Sequence, residues 1–187
     1  MIISISGIPG AGKTTAGKEL AKRLGYQHYY MGDIRRKKAA EIGMTLEEYN
    51  KYGEKDFSTD KNVDEYITQL GKTEDNFVIE SRTAFHFIPH SVKIFLSISE
   101  AEGAKRIFHE LQSKEGKDRN EARGIASLED MKRSIRKRLS SDTIRYKKYY
   151  DLNPFDPSHY DLIIDTTHST PEKTVQQIMD FLLKVKE

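Results

Sequence analysis

The 187-residue chain has no cysteine. That excludes a disulfide framework and cysteine-ligated zinc, and it fits a reducing cytosol. Nor is there a surplus of charge. Thirty-one Lys and Arg stand against 29 Asp and Glu, for a formal net charge of +2, so bulk charge does not mark a nucleic-acid binder. No apolar run approaches the roughly 20 residues of a membrane-spanning helix. Internal repeats and low-complexity tracts are missing too. The first apolar run starts at Met1 or Ile2, so no targeting segment is expected ahead of it. What remains is 36% hydrophobic and 32% charged. That composition suits one domain, or one core with a small mobile insert, beneath a heavily solvated surface.

Patterning along the chain alternates between two periods. Ile2 to Ser6, Gln27 to Tyr30, Phe77 to Glu80, Val92 to Ser97 and Leu162 to Ile164 are short runs that read as strands. Between them lie helical stretches. Lys13 to Leu24 carries apolar Ala16, Leu20, Ala21 and Leu24, with Gly25 placed to end it. A basic helix opens at Asp33 and runs to about Ile42. Thr45 to Glu48 and Ser99 to Glu102 both spell a capping box. Another helix covers about Lys61 to Leu70. Ser127 caps a long one bearing Leu128, Met131, Ile135 and Leu139, and Thr170-Pro171 opens the last. Strands alternating with helices predict an α/β fold with a five-stranded parallel sheet and helices on both faces. The strand-free stretch at 33–71 reads as an insert, and the polar, glycine-containing stretch at 113–124 as a surface loop. The core is then 1–32, 72–112 and 125–187.

The segment Gly7-Ile8-Pro9-Gly10-Ala11-Gly12-Lys13-Thr14, followed by Thr15, joins a strand to a helix. In that context it is a phosphate loop. Its glycines let successive N–H groups turn inward at phosphate oxygens, and the helix adds its positive end. Lys13 reaches the β and γ phosphates, and Thr14 offers its hydroxyl to Mg²⁺. The bound molecule is therefore expected to be ATP with Mg²⁺.

Such a loop serves kinases, GTPases and motor ATPases alike. No Asn/Thr-Lys-x-Asp stretch is present to read a guanine, and the chain is short for a motor. Arginines recur where an acceptor pocket belongs, at Arg36, Arg82, Arg119, Arg123, Arg138 and Arg145. Their planar forks suit phosphate, and phosphoryl transfer needs chiefly positioning and positive charge.

Four blocks together resemble the nucleoside monophosphate kinases, and among them the short, archaeal-type cytidylate kinases. They are Ile5 to Thr15, Met31-Gly32-Asp33-Ile34-Arg35-Arg36, Val78-Ile79-Glu80-Ser81-Arg82, and Arg138 through Tyr146. The resemblance implies a P-loop fold with a helical acceptor-binding insert and a short lid at 113–124. It implies that Asp33, Arg36 and Arg82 hold the acceptor phosphate and that Glu80 stands near Mg²⁺. It implies that Arg138 and Arg145 clamp phosphates while Asp142 positions the acceptor. Lid residues Arg119 and Arg123 would close over ATP, with Lys13 and Arg138 sharing the charge of the transition state. Tyr160-Asp161 would take a structural role near the adenine side. Two positions depart from the pattern, since Ser81 replaces a glycine and Met31 a Ser or Thr.

Lys132 to Lys148 holds eight basic residues against one acid, Asp142. Read blandly it is a solvated helix face with a few phosphate binders, and nucleic acid is not an expected partner. His86, His90 and His109 lack metal-ligand spacing. The reading is thus an ATP-dependent kinase of a nucleoside monophosphate, CMP or dCMP first, expected to be a cytoplasmic monomer. A kinase of another acceptor and a nucleotide-binding regulator remain open. The base is undecided, with Asp56, Asp60 and Asp64 as candidate readers.

Overall fold

The computed structural model describes residues 1–113 and 123–185. The N-terminal apolar run forms β1 (Ile2–Gly7), buried along its whole length. It is joined by β2 (Gln27–Tyr30), β3 (Phe77–Glu80), β4 (Val92–Ser97) and β5 (Leu162–Asp165) in the order β2-β3-β1-β4-β5. Every pairing is parallel, with Ile5 of β1 level with Glu80 of β3 and Ile94 of β4. The chain leaves β1 for one side of the sheet and later returns to build the other side. The crevice at that divergence, past the carboxyl end of β1, is where an open α/β sheet binds ligands.

Alternation along β1 divides the core. Ile3 and Ile5 meet α1 (Lys13–Leu24) and α8 (Pro171–Val185) through Ala16, Leu20, Val175, Ile178 and Leu182. Ile2, with Phe77 and Ile79 of β3, meets Val63, Ile67 and Leu70 of α4 (Ser58–Thr73) on the opposite face. The sheet therefore has helices on both sides. A satellite cluster of Ala104, Ile107, Met131 and Ile135 joins α6 (Glu100–Gln112) to α7 (Leu128–Tyr150). Between β2 and β3 the chain is helical only, as α2 (Met31–Glu41), α3 (Leu46–Gly53) and α4.

Most punctuation follows local chemistry. Gly25 ends α1 in the left-handed region at φ 69°, and the Tyr26 N–H closes the turn on Ala21 O at 2.9 Å. The Thr45 box is complete: Thr45 Oγ1 accepts the Glu48 N–H at 3.2 Å, and Glu48 Oε2 accepts the Thr45 N–H at 2.7 Å. The Ser99 box is only half made. Ser99 Oγ accepts the Glu102 N–H, but the Ser99 N–H goes to Thr167 Oγ1 and Glu102 turns to Arg106. A tertiary partner has displaced the local one. Helix α2 starts at Met31 rather than Asp33, which puts Asp33 in the first turn where a carboxylate suits the helix dipole. The α4 helix outruns 61–70 at both ends, and the single turn α5 (Ala84–Phe87) is unanticipated, four residues being too few to show a period.

One contact bears directly on the crevice. A Cβ on Gly10 would lie 2.5 Å from Gly103 O, and one on Gly103 would lie 2.9 Å from Pro9 O. The α6 backbone thus braces the glycine loop with no side chain between them. Gly103→Ala is expected to displace the loop, since overpacking here is worth about 1–3 kcal/mol. Calorimetry with a non-hydrolysable ATP analogue should show affinity about 10-fold weaker or worse, and unchanged affinity would refute the bracing role.

Candidate active site

Past the carboxyl end of β1 opens a cleft of about 680 Å³. The glycine loop forms one wall. Gly7, Gly10 and Gly12 all have positive φ, and Gly12 at 79° leads into α1 where a β-carbon would strain the backbone. Pro9, Gly10, Gly12, Lys13, Thr14 and Thr15 line the cleft. Ala11 turns into the core, its carbonyl accepting Thr166 Oγ1. The Lys13 ammonium donates to Gly7 O at 3.1 Å and Ile8 O at 2.8 Å, which holds it over the loop.

Thr14 and Glu80 are brought together. Thr14 Oγ1 donates to Glu80 Oε2 at 2.9 Å, and Glu80 Oε1 meets His28 Nε2 at 2.6 Å. Glu80 ends β3 almost fully buried, so its orientation is set on both oxygens. Gly17 of α1 makes the space, for a Cβ there would lie 3.0 Å from His28 Nε2 and 3.1 Å from Glu80 Oε1.

The cationic side chains sort into two layers. Arg36 is nearly buried, donates to the Tyr30 hydroxyl at 2.6 Å and faces its ring. Arg82 donates through Nε to Asp142 Oδ2 at 3.0 Å and through Nη1 to Gly7 O. Both line the cleft, as do Arg35, Arg138, Asp142 and Asp33. Asp33 is half exposed and pairs with Lys37 at 2.8 Å. Behind this layer lies Arg145, with no exposed surface. Its guanidinium donates to Asp60 Oδ1 and Asp142 Oδ1, so it steadies Asp142 from within instead of lining the cleft. Arg123 is exposed and pairs with Glu48 at 3.7 Å, away from these groups. Arg119 lies outside the described residues.

Sequence reasoning missed groups in the cleft and behind it. His28 carried no signal, being one of six scattered histidines. Arg35 was passed over because the motif singles out Arg36. It donates to Asp60 Oδ1 at 2.6 Å and Asn50 Oδ1 at 3.0 Å. Of the three undecided aspartates, Asp56 is taken by Tyr52 and Ser58, Asp60 by the two arginines, and only Asp64 lines the cleft. Ser81 is not strained, since its φ is not positive, and its hydroxyl accepts the Thr83 N–H at 3.0 Å. Met31 is buried at the start of α2 and also lines the cleft. Tyr160-Asp161 has a structural place, but at the amino end of β5, where Asp161 accepts the Lys93 N–H and Tyr160 packs on Phe85 and Phe95. Much of the basic charge of α7 is paired, Arg136 with Glu100 and Lys137 with Glu47 among others.

Two buried carboxyls respond oppositely to this setting. Burial pushes Asp142 up, but the charges of Arg145, Arg82 and Arg138 outweigh it and hold the group below its ordinary value. Burial raises Asp64 to about 6, against the hydroxyl donors Tyr150 and Thr83.

A parallel sheet with a phosphate loop, a threonine paired to a buried carboxylate and converging arginines defines the class of phosphate-loop kinases. Solved structures agree on the fold. The shikimate kinase of Acinetobacter baumannii in complex with shikimate superposes with a TM-score of 0.59 at 19% identity, over 99% of this chain and 94% of that one. An uncharacterized protein from Eubacterium ventriosum gives 0.65 at 18%, over 97% of both. The model of the cytidylate kinase-like family matches residues 2–168, and the chain belongs to that family. It is 37% identical to the cytidylate kinase of Methanocella arvoryzae, over 89% of this chain and 88% of the relative. It is 36% identical to that of Thermococcus kodakarensis, over 92% and 82%. Membership makes the chain a kinase that uses ATP. Among the described residues no helix is long and apolar enough to cross a membrane.

The state of Asp64 has a consequence for stability. An acid whose pKa rises on folding stabilises the fold fully below its unfolded value, and that contribution is lost as pH climbs through the folded one. The window runs from 3.8 to about 6, with a size on the order of 3 kcal/mol. Asp64→Asn should flatten the fall in stability across that window, measured as the difference in melting temperature from wild type at each pH. Parallel curves would show that Asp64 carries no such shift.

Proposed function

We propose that the chain transfers the γ-phosphoryl group of ATP to CMP or dCMP, giving ADP and CDP or dCDP. The observation that carries this is the convergence of Lys13, Arg36, Arg82 and Arg138 on one cleft beside the glycine loop, in a chain of the cytidylate kinase-like family. An oxygen of the acceptor phosphate attacks the γ-phosphorus, and the bond to the β-phosphate oxygen breaks as ADP leaves. The attacking oxygen is already anionic at neutral pH, so no general base is required. The chain's work is positioning and charge.

Lys13 leaves its carbonyls for the β and γ phosphates, and the N–H groups of residues 7–14 bind the remaining donor oxygens. Arg36 and Arg82 hold the acceptor phosphate from opposite elements, with Asp33 at the rim. Arg138 reaches the transferring group. Asp142, held anionic by its arginines, keeps the Arg82 guanidinium turned to the cleft, and Arg145 keeps Asp142 in place. The Thr14 hydroxyl and Glu80 carboxylate are hard oxygen donors set side by side, a set that fits Mg²⁺. Mg²⁺ held by these two groups would supply positive charge against the negative charge that develops on the phosphates. The insert at 33–71 would close over the core of 1–32, 72–112 and 125–187 to exclude water; of the lid expected at 113–124, residues 114–122, Arg119 among them, lie outside the described residues. A single chain holds all of these groups, which supports action as a monomer, and ATP as donor supports a cytoplasmic setting.

The test is ADP release with ATP and Mg²⁺ against CMP, dCMP, UMP, AMP, GMP and shikimate. CMP or dCMP should give the highest kcat/KM. Lys13→Ala should lower it by about 10²-fold or more, the loss typical of a preorganised charge at the reacting centre. Arg36→Ala should act mainly through the acceptor KM, by about 10-fold or more. Faster turnover of another acceptor would overturn the assignment of the acceptor.

A further inference from the structure

The cleft walls differ in charge. Cations reach it from α1, α2, the segment after β3, α6 and α7, as Lys13, Lys18, Arg35, Arg36, Arg82, Arg106 and Arg138. The wall built by α3 and α4 presents Leu46, Asn50, Val63 and Asp64, with no lysine or arginine. A phosphate has no partner on that wall. Apolar Leu46 and Val63, with Tyr146 beside them, instead offer surface to a flat ring.

Asp64 is the exceptional group on this wall. It is only 5% exposed, yet among the described residues it makes no ion pair. Its partners are neutral hydroxyls: Thr83 Oγ1 donates to Oδ1 at 2.7 Å, and the Tyr150 hydroxyl donates to Oδ2. The nearby guanidinium groups are engaged one helical turn earlier, where Asp60 takes both Arg35 and Arg145. Two donors fix the plane of the Asp64 carboxylate and leave about two of its roughly four acceptor positions open. Asn50 complements it. Its Oδ1 accepts Arg35 Nη2, so its amide nitrogen is left to donate.

We propose that Asp64 reads the base of the acceptor, its carboxylate accepting the exocyclic amino group of cytosine. The inference rests on the proposed CMP reaction and assigns its selectivity. Cytosine presents an amino donor beside the acceptors N3 and O2. Uracil presents the acceptor O4 where that amino group would be, and two acceptors face to face repel. Asp64 thus favours one base and rejects the other with a single side chain. Asn50, on the same wall, supplies the donor that N3 or O2 requires.

The experiment measures kcat and KM of wild type and Asp64→Asn for CMP, dCMP, UMP and the monophosphate of pyrimidin-2-one riboside, which lacks the amino group. In wild type, the pyrimidin-2-one nucleotide should have kcat/KM about 10–100-fold below CMP, the range for a carboxylate accepting from a cytosine amino group. In Asp64→Asn, CMP and dCMP should both fall by that range while UMP and the pyrimidin-2-one nucleotide stay within about threefold of wild type. The variants Thr83→Ala and Tyr150→Phe retain the carboxylate and should keep the CMP preference over UMP. Equal losses on CMP and UMP in Asp64→Asn would make Asp64 a merely structural group and overturn the inference. A loss on CMP that spares dCMP would move Asp64 to the sugar and overturn it too. Wild type that uses the pyrimidin-2-one nucleotide as well as CMP overturns it without any variant. Failure of wild type to phosphorylate either CMP or dCMP would instead sink the proposed reaction, and this inference with it.

Discussion

A fully buried guanidinium organises this molecule. Arg145 has no exposed surface, and a lone charge there would cost several kcal/mol. Asp60 of α4 and Asp142 of α7 neutralise it, and each in turn holds a second arginine, Arg35 and Arg82. Arg82 then donates to the carbonyl of Gly7 in the phosphate loop. The result is a continuous chain of alternating charge from the donor loop to the helices at 31–73. Three guanidinium groups are set against two carboxylates, so the network carries positive charge over. That excess stands at the cleft, through Arg35 and Arg82, and Arg36 and Arg138 add to it. A cleft with surplus cations and buried counter-charges is prepared for phosphates before any arrive.

The same economy governs the donor side. Lys13 is held on loop carbonyls, and Thr14 on Glu80. On the proposed reading, each contact keeps a side chain within reach of where a phosphate oxygen or a cation would sit. His28 and Gly17 sit behind Glu80 and orient the carboxylate while α1 passes close by. Beneath them the parallel sheet supplies rigidity, with α6 braced backbone to backbone against the loop. On the proposed reading, the insert helices carry the selective groups apart from the phosphate loop, so the selectivity of the acceptor could vary without touching donor chemistry.

Much of this was legible in the chain itself. The strand runs and helical stripes are local signals, because burial on one face imposes a period on every element. The phosphate loop was legible because its function is a backbone conformation, and glycine spacing encodes it directly. Glu80 stood out because it ends a strand at the edge where ligands bind, and Arg82 because it stands two residues on in a block that resembles the family. At Ser99 a tertiary partner displaced the local signal, since Thr167 takes the Ser99 N–H from its box; α2 also begins at Met31, ahead of Asp33.

The sequence by itself therefore determined the layer architecture, the phosphate loop and the identity of the arginines. Only the tertiary structure decided which arginines face the cleft and which stay beneath it. Arg138 and Arg145 share a helix face by periodicity, yet one lines the cleft and the other is sealed against Asp60. That acid is 85 residues away in the chain. Asp56, Asp60 and Asp64 look alike in the sequence, and their fates diverge by what α7 and α2 bring against them. The physical reason is that charge environment is a sum over neighbours in space, and the neighbours of a buried ion are drawn from distant segments. Periodicity reports the face of an element, not the partner across from it.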